Sequence, residues 1–278
     1  MANEPAPPAL TELLDVWQES LETIIAVCTP LTDEQWGTQT PCPGWTVADV
    51  VAHAIDLEQF FGEEPRPDHQ PDWDALPHAT GDFGRFTEVG VDARRGRDPH
   101  DLLTELQATI ERRRAQLDAL PQDVKVLGPT GTMLTLDRFL RVRIFDTWAH
   151  EQDIRWAIGD NGGWNSNPAG IAFLHMLNTL PYVWGHNVKA PAGATLRLTI
   201  IAPDLEHTVY VTVDENGRGS RIKNHDHPDV LADVTWAAYA RLSCGRVATD
   251  DPWLADKVEV TGDADLGARL LPALAITP

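Results

Sequence analysis

With 278 residues, 42% of them hydrophobic, the chain is long enough for two ordinary domains with sizeable cores, which excludes global disorder. No run of about eighteen apolar residues occurs, so no transmembrane helix is expected. The formal net charge of −20 repels nucleic acid and anionic membrane surfaces, and any small anionic substrate would need a local arginine.

The N-terminus, Met-Ala-Asn-Glu-Pro-Ala-Pro-Pro, has no basic stretch followed by an apolar one, so no secretory signal is expected. Residues 1–8 are Pro-rich and expected to fray. Cys28, Cys42 and Cys244 are odd in number and far apart, which argues against a disulfide framework and for a reducing cytoplasm. From Leu10 the apolar positions run Leu13, Leu14, Trp17, Leu21, Ile24, Ile25 and Cys28, a helical stripe over about residues 9–29 that Thr29-Pro30 ends. Thr40-Pro41-Cys42-Pro43-Gly44-Trp45 is a turn by composition; Cys42, just before the next helix, could face a site there, though a small packing residue in the turn is the commoner meaning.

A second helix starts at Thr46, where Thr46 and Asp49 have capping-box spacing with Asp in place of Glu. Val47, Val50, Val51, Ala54, Leu57 and Phe61 form its apolar face. His53 lies at the edge of that face, pointing toward the interior; the commoner meaning of such a histidine is a core-edge residue with one hydrogen bond. Residues 62–97, rich in Pro, Gly, Asp and His, read as a long irregular loop over the helices. A third helix begins with Asp98 as N-cap and Pro99 at its first position, with Leu103, Leu106, Ile110, Leu117 and Leu120 as its stripe. Arg112-Arg113-Arg114 on that helix reads as a solvated face.

The fourth helix spans about Thr135 to Ile158 and stops at Gly159-Asp160-Asn161-Gly162-Gly163. Asp146 and His150 are four residues apart on it and share a face, so a carboxylate and an imidazole stack there. Such a pair can share one metal ion, with His53 as a third ligand from another helix. On spacing alone the commoner meaning is a hydrogen bond on a solvated face. A fifth helix follows, with Asn167 as N-cap, to about Val183. Near residue 190 the period changes. Leu196, Leu198 and Ile200 alternate with polar residues, as do Val209, Val211 and Val213, and Asp214-Glu215-Asn216-Gly217 is a hairpin signal. A strand at Ala232–Trp236, a helix at Ala237–Cys244, a strand at Val258–Val260 and a helix capped by Asp263 complete an α+β half. The boundary is expected in His186–Gly193, giving domains 1–188 and 189–278. His225-Asp226-His227 has metal-like residue types but precedes Pro228 in an exposed-looking loop, so a surface turn is expected.

Thr40-Pro41-Cys42-Pro43-Gly44-Trp45-Thr46-Val47-Ala48-Asp49-Val50-Val51-Ala52-His53 resembles the N-terminal signature of mycothiol-dependent maleylpyruvate isomerase-like proteins, which belong to the DinB-like superfamily of metal-binding four-helix bundles. Phe145-Asp146-Thr147-Trp148-Ala149-His150-Glu151-Gln152-Asp153-Ile154-Arg155 resembles the second signature of that family. Val260-Thr261-Gly262-Asp263-Ala264-Asp265-Leu266-Gly267-Ala268-Arg269-Leu270-Leu271 is similar to its sterol-carrier-like C-terminal domain. The resemblance implies a mixed fold, a DinB-like four-helix bundle followed by a smaller α+β domain. It also implies a divalent metal, usually zinc, held by His53, Asp146 and His150. Where the isomerase carries glutamate this chain has Asp146, one methylene shorter, so the fourth helix must approach more closely or the metal must sit differently.

Three protein ligands leave coordination positions open, and a thiol entering one would lose its proton and become nucleophilic. No cysteine stands at a ligand position, and the thiol that the resemblance implies is an external one, mycothiol. The reading that follows is a cytoplasmic isomerase or S-transferase acting on a small electrophilic, anionic substrate. Arg246 is the candidate anion-binding catalytic residue, with Arg241 and Arg269 as competitors and a helix-end arginine paired with a carbonyl as the plain alternative. Asp49 and Asp153 are candidates for orienting the ligands. A metal-bearing binding or regulatory protein and a metal hydrolase are the other functions these residues allow.

Overall fold

The computed structural model describes residues 9–277; the expected fraying of residues 1–8 lies outside the described residues. Contacts divide the chain into two compact units, Met1–Ala172 and Phe173–Pro278. The division falls inside a helix, ahead of the 186–193 segment where the apolar period changes.

The first unit is helical. α1 (Leu10–Cys28), α3 (Val47–Phe61), α5 (Pro99–Asp118) and α6 (Leu136–Ala157) contact one another as a ring in the order α1–α5–α3–α6. Their stripes meet inside it, with Leu13, Trp17, Leu21, Val50, Ile55, Leu106, Ile110, Leu140 and Ile144 all fully buried. The caps are those the sequence calls for. Thr46 and Asp49 form the capping box of α3, the Asp49 carboxylate accepting from the Thr46 amide at 2.8 Å. Asp98 accepts from the His100 amide at 2.8 Å to start α5, with Pro99 at its first position. A short hairpin, β1 (Lys125–Leu127) with β2 (Met133–Thr135), precedes α6. A four-residue helix, α2 (Asp33–Trp36), sits ahead of the Thr40–Trp45 turn behind its own Thr32 capping box.

Two expectations are corrected. Residues 62–97 are not an irregular loop throughout: α4 (Gly81–Asp92) forms within them and packs on α3. Gly84 and Gly90, which read as loop residues, are inside this helix, and the glycine at 90 is a packing device. A Cβ there would fall 1.9 Å from the Asp56 carboxyl carbon, so only glycine lets α4 approach α3 this closely. The basic run on α5 is also not uniformly solvated. Arg112 is exposed, but Arg113 is buried and faces Glu58 at 3.7 Å.

α7 (Asn167–Tyr182) continues through a π-helical turn, Val183–Asn187. Its N-terminal amide of Ala169 donates to Ser166 Oγ at 3.2 Å, so the cap is Ser166, one residue before the expected Asn167. The second unit is a mixed α/β domain. Its five-stranded sheet has the order β5 (Gly219–Ile222), β4 (Leu205–Val213), β3 (Thr195–Ala202), β6 (Val230–Thr235), β7 (Val258–Gly262). All neighbours are antiparallel except β3 with β6. Leu196, Leu198 and Ile200 are fully buried, as their alternation requires. The β4–β5 hairpin turns at Gly217, at φ +77°, where a glycine carries no Cβ penalty. α8 (Trp236–Ser243) follows β6 directly, and Asp263 caps α9 (Ala264–Ala273) by accepting from the Asp265 and Leu266 amides.

The two glycines of α4 separate on substitution. Gly90→Ala is expected to lower stability by about 1–3 kcal/mol through overpacking against Asp56. Gly84→Ala, whose Cβ would meet only the Ala79 backbone at 3.7 Å, is expected to raise it by about 0.5–1 kcal/mol. Urea denaturation of both variants checks the pair; equal effects would show that α4 does not pack as described.

Candidate metal centre

His53 lies on the second turn of α3, and its ring is 4% exposed. Asp146 and His150 lie one turn apart on α6. One donor atom from each of the three comes within 4.8 Å of the other two. The His53 and His150 rings meet edge to face with centroids 4.8 Å apart, and His150 Nε2 stands 3.9 Å from Asp146 Oδ1. The expectation that these three side chains converge therefore describes what the fold does, while the plain surface hydrogen bond does not: His150 is buried.

The surroundings orient each donor. His150 Nδ1 faces Asp153 Oδ2 at 3.1 Å. A proton on Nδ1 shared with that carboxylate leaves the lone pair on Nε2, the nitrogen turned toward Asp146. Asp49, the other expected orienting residue, is engaged elsewhere, in the α3 cap and at 3.1 Å from Arg95 Nε. Asp146 Oδ2 accepts from Arg143 Nη1 at 2.8 Å, and Arg143 Nε donates to Glu58 Oε1 at 2.9 Å. Glu58 and Arg143 are buried. Burial alone would raise the Asp146 pKa; the charges of Arg143, His150 and His53 more than reverse this and hold it at about 2. The carboxylate is therefore an anion available as a ligand, and 32% of its side chain is open, which gives the site an accessible side.

Sequence reasoning missed most of this support. Arg143 had a local signal, its i,i+3 spacing to Asp146. Glu58, 85 residues from Arg143 in the chain, had none. The Trp45 ring is tilted against those of His53 and His150, with centroids 4.8 and 6.1 Å away, and its Nε1 donates to Glu88 at 2.8 Å. Cys42 is more than a packing residue of the turn: its thiol lies 3.0 Å from Asp153 Oδ2 and 3.9 Å from His150 Nδ1.

Two buried imidazoles and one anionic carboxylate are a donor set suited to a divalent cation. The sequence profile described as the mycothiol maleylpyruvate isomerase N-terminal domain matches residues 5–155, more than half of the chain. The chain belongs to that family. Two curated relatives, both uncharacterized proteins of Mycobacterium tuberculosis (strains CDC 1551 / Oshkosh and ATCC 25618 / H37Rv), are 25% identical over 141 residues, 51% of this chain and 53% of theirs. The match thus spans about half the length of those relatives. Crystal structures of the mycothiol-dependent maleylpyruvate isomerase and of a histidine-to-alanine mutant of it share the fold, with TM-scores of 0.53 and 0.56, at 15% and 14% identity over 91% of this chain and 93% of theirs.

Elsewhere the structure supplies neighbours for residues singled out in the sequence. Arg246 Nη1 donates to the Cys244 carbonyl at 2.8 Å, Arg241 lies over the Trp253 ring at 4.2 Å, and Arg269 Nη1 donates to the Val188 carbonyl at 2.7 Å. His225, Asp226 and His227 are exposed, as a surface turn requires. Glu151, a carboxylate next to His150 but off the Asp146–His150 stripe, is buried and pairs with Arg155 at 2.6 Å. Among the described residues no helix is long and apolar enough to cross a membrane.

Arg143→Met keeps the side chain's bulk, removes the closer of the two cations at buried Glu58 and leaves it only Arg113 at 3.7 Å. It is expected to cost about 3–5 kcal/mol of unfolding free energy. Denaturation of the variant checks this; a change below about 0.5 kcal/mol would show the network to be solvated.

Proposed function

We propose that this protein is a zinc-dependent enzyme that uses mycothiol as cosubstrate and catalyses isomerisation of, or S-transfer to, a small electrophilic, anionic molecule in the cytoplasm. The observation that carries the reading is the convergence of His53, Asp146 and His150 at a buried site with one accessible side. Membership of a family named for a mycothiol-using isomerase supports the choice of thiol. In this reading the helical unit is a DinB-like four-helix bundle with additions, and the α/β unit is a sterol-carrier-like domain. The DinB-like domain is proposed to extend to about residue 188, with the smaller domain from 189 onward.

His53, Asp146 and His150 would hold the ion. Bound there, it would supply a Lewis acid that lowers the pKa of an incoming thiol and so makes it a nucleophile at neutral pH. The chain's own residues prepare the place. Asp153 holds the Nδ1 proton of His150 and so keeps Nε2 turned inward. Arg143 occupies Asp146 Oδ2, leaving Oδ1 on the His150 side as the donor. The Trp45 indole, tilted beside both imidazoles, adds an apolar wall to the place. Arg246 remains the proposed partner for the anionic part of the substrate; Arg246→Ala should lower kcat/KM for anionic substrates only.

The direct test is the electronic spectrum of the cobalt-substituted protein titrated with reduced mycothiol. A new thiolate-to-cobalt charge-transfer band, absent in His150→Ala, is the expected result. A spectrum unmoved by mycothiol, together with turnover of an ester or amide, would overturn the thiol reading in favour of a hydrolase. Tight binding of a second ligand without any turnover would favour a binding protein.

A further inference from the structure

The Thr40–Trp45 turn is held more firmly than a connection between helices requires. The Thr40 amide and hydroxyl both donate to the Trp45 carbonyl, at 2.9 and 2.8 Å. The Gln39 side-chain amide reaches the carbonyls of Thr40, Cys42 and Trp45 at 2.9, 2.8 and 2.8 Å. Gly44, at φ +73°, lies under the His78 imidazole, where a Cβ would come within 2.3 Å of the ring. His78 Nε2 in turn meets Glu88 Oε2 at 3.1 Å, the same oxygen that receives Trp45 Nε1.

This fastened turn presents two side chains to one histidine. The Trp45 ring lies 6.1 Å from that of His150, tilted by 40°, and Cys42 lies at the His150 Nδ1 edge. The Cys42 thiol and His150 Nδ1 both address one atom, Asp153 Oδ2, at 3.0 and 3.1 Å. Cys42, His150 and Asp153 are all buried. A carboxylate oxygen that receives two donors from different elements in a low-dielectric interior is fixed in position by both.

We propose that Cys42 is a positioning residue: its S–H donates to Asp153, and Asp153 thereby holds His150 as the Nδ1–H tautomer with Nε2 turned toward Asp146. The role of Cys42 rests on the functional reading above only for its consequence, metal affinity; its effect on the tautomer exists without metal. Cys42 is not the nucleophile, since it stands behind His150, on the edge opposite the nitrogen that faces Asp146. A thiol serves as a small donor that fits a buried turn, and serine offers the same hydrogen bond with a shorter reach.

The test compares wild type, Cys42→Ala and Cys42→Ser by three readouts. The first is the nitrogen-15 spectrum of the metal-free protein, which reports the His150 tautomer. The second is zinc affinity by chelator competition, and the third is thermal melting. Wild type is expected to hold the Nδ1–H form. Cys42→Ala is expected to show a mixture of tautomers and about tenfold weaker zinc binding, the lower end of the usual loss when a ligand's hydrogen-bonded support is removed. Cys42→Ser should recover both. A melting temperature unchanged in Cys42→Ala would separate positioning from a merely structural role. If Cys42→Ala keeps the Nδ1–H tautomer and binds zinc within twofold of wild type, the proposal is wrong. If wild type binds no zinc, the functional reading fails, and the tautomer in Cys42→Ala alone decides the role of Cys42.

Discussion

The helical unit depends on a buried ionic chain that crosses from α3 to α6: Glu58, Arg143 and Asp146. Glu58 and Arg143 are shut off from water while Asp146 opens to it; buried charges are costly and persist only where each is matched in geometry and hydrogen bonding. Here the guanidinium of Arg143 is shared between two carboxylates, with Arg113 closing the far side of Glu58. The chain fixes the spacing of the two helices that carry the three site residues. It also divides the Asp146 carboxylate, assigning Oδ2 to Arg143 and leaving Oδ1 toward His150. A shorter carboxylate side chain thus still reaches the site, because the arginine sets where it points.

The same use of arginine recurs around α4. Asp56 on α3 meets Arg66 at 2.6 Å and Arg94 at 3.5 Å, and Arg95 bridges Asp49, Glu88 and Asp92. In a chain of net charge −20, much of the arginine complement is thus placed inside the helical unit rather than on a face for an anionic partner. Arg66 also lies 3.9 Å over the Phe86 ring, so the segment after α3 is fastened by both charge and aromatic contact. The Glu88–Trp45 bond links this fastening to the wall of the candidate site.

Local signals in the sequence were strong where the interaction is local. The Thr46–Asp49 box, the Asp98–Pro99 start and the Asp263 cap were legible because a cap lies within three residues of what it caps. The alternation of Leu196, Leu198 and Ile200 announced β3 because a sheet face repeats every two residues. Convergence of His53 with Asp146 and His150 was not legible from spacing; it came from the resemblance of two motifs to a known family. The helix at 81–92 was hidden because it carries three glycines, one of which, Gly90, answers a tertiary contact with Asp56 that propensity cannot see. Glu58 was hidden for the same reason, its partner lying 85 residues away; Cys42 could be placed near the site from the sequence, but not its partner Asp153, 111 residues away.

The central claim is that one ion is held by His53, Asp146 and His150. Anomalous diffraction at the zinc edge, on crystals of the zinc-loaded protein, tests it most directly. The account predicts one strong peak about 2.0–2.2 Å from a nitrogen of His53, a nitrogen of His150 and an oxygen of Asp146. A peak bonded to Cys42 and Asp153 instead, or no peak between the two helices at full zinc loading, would contradict it.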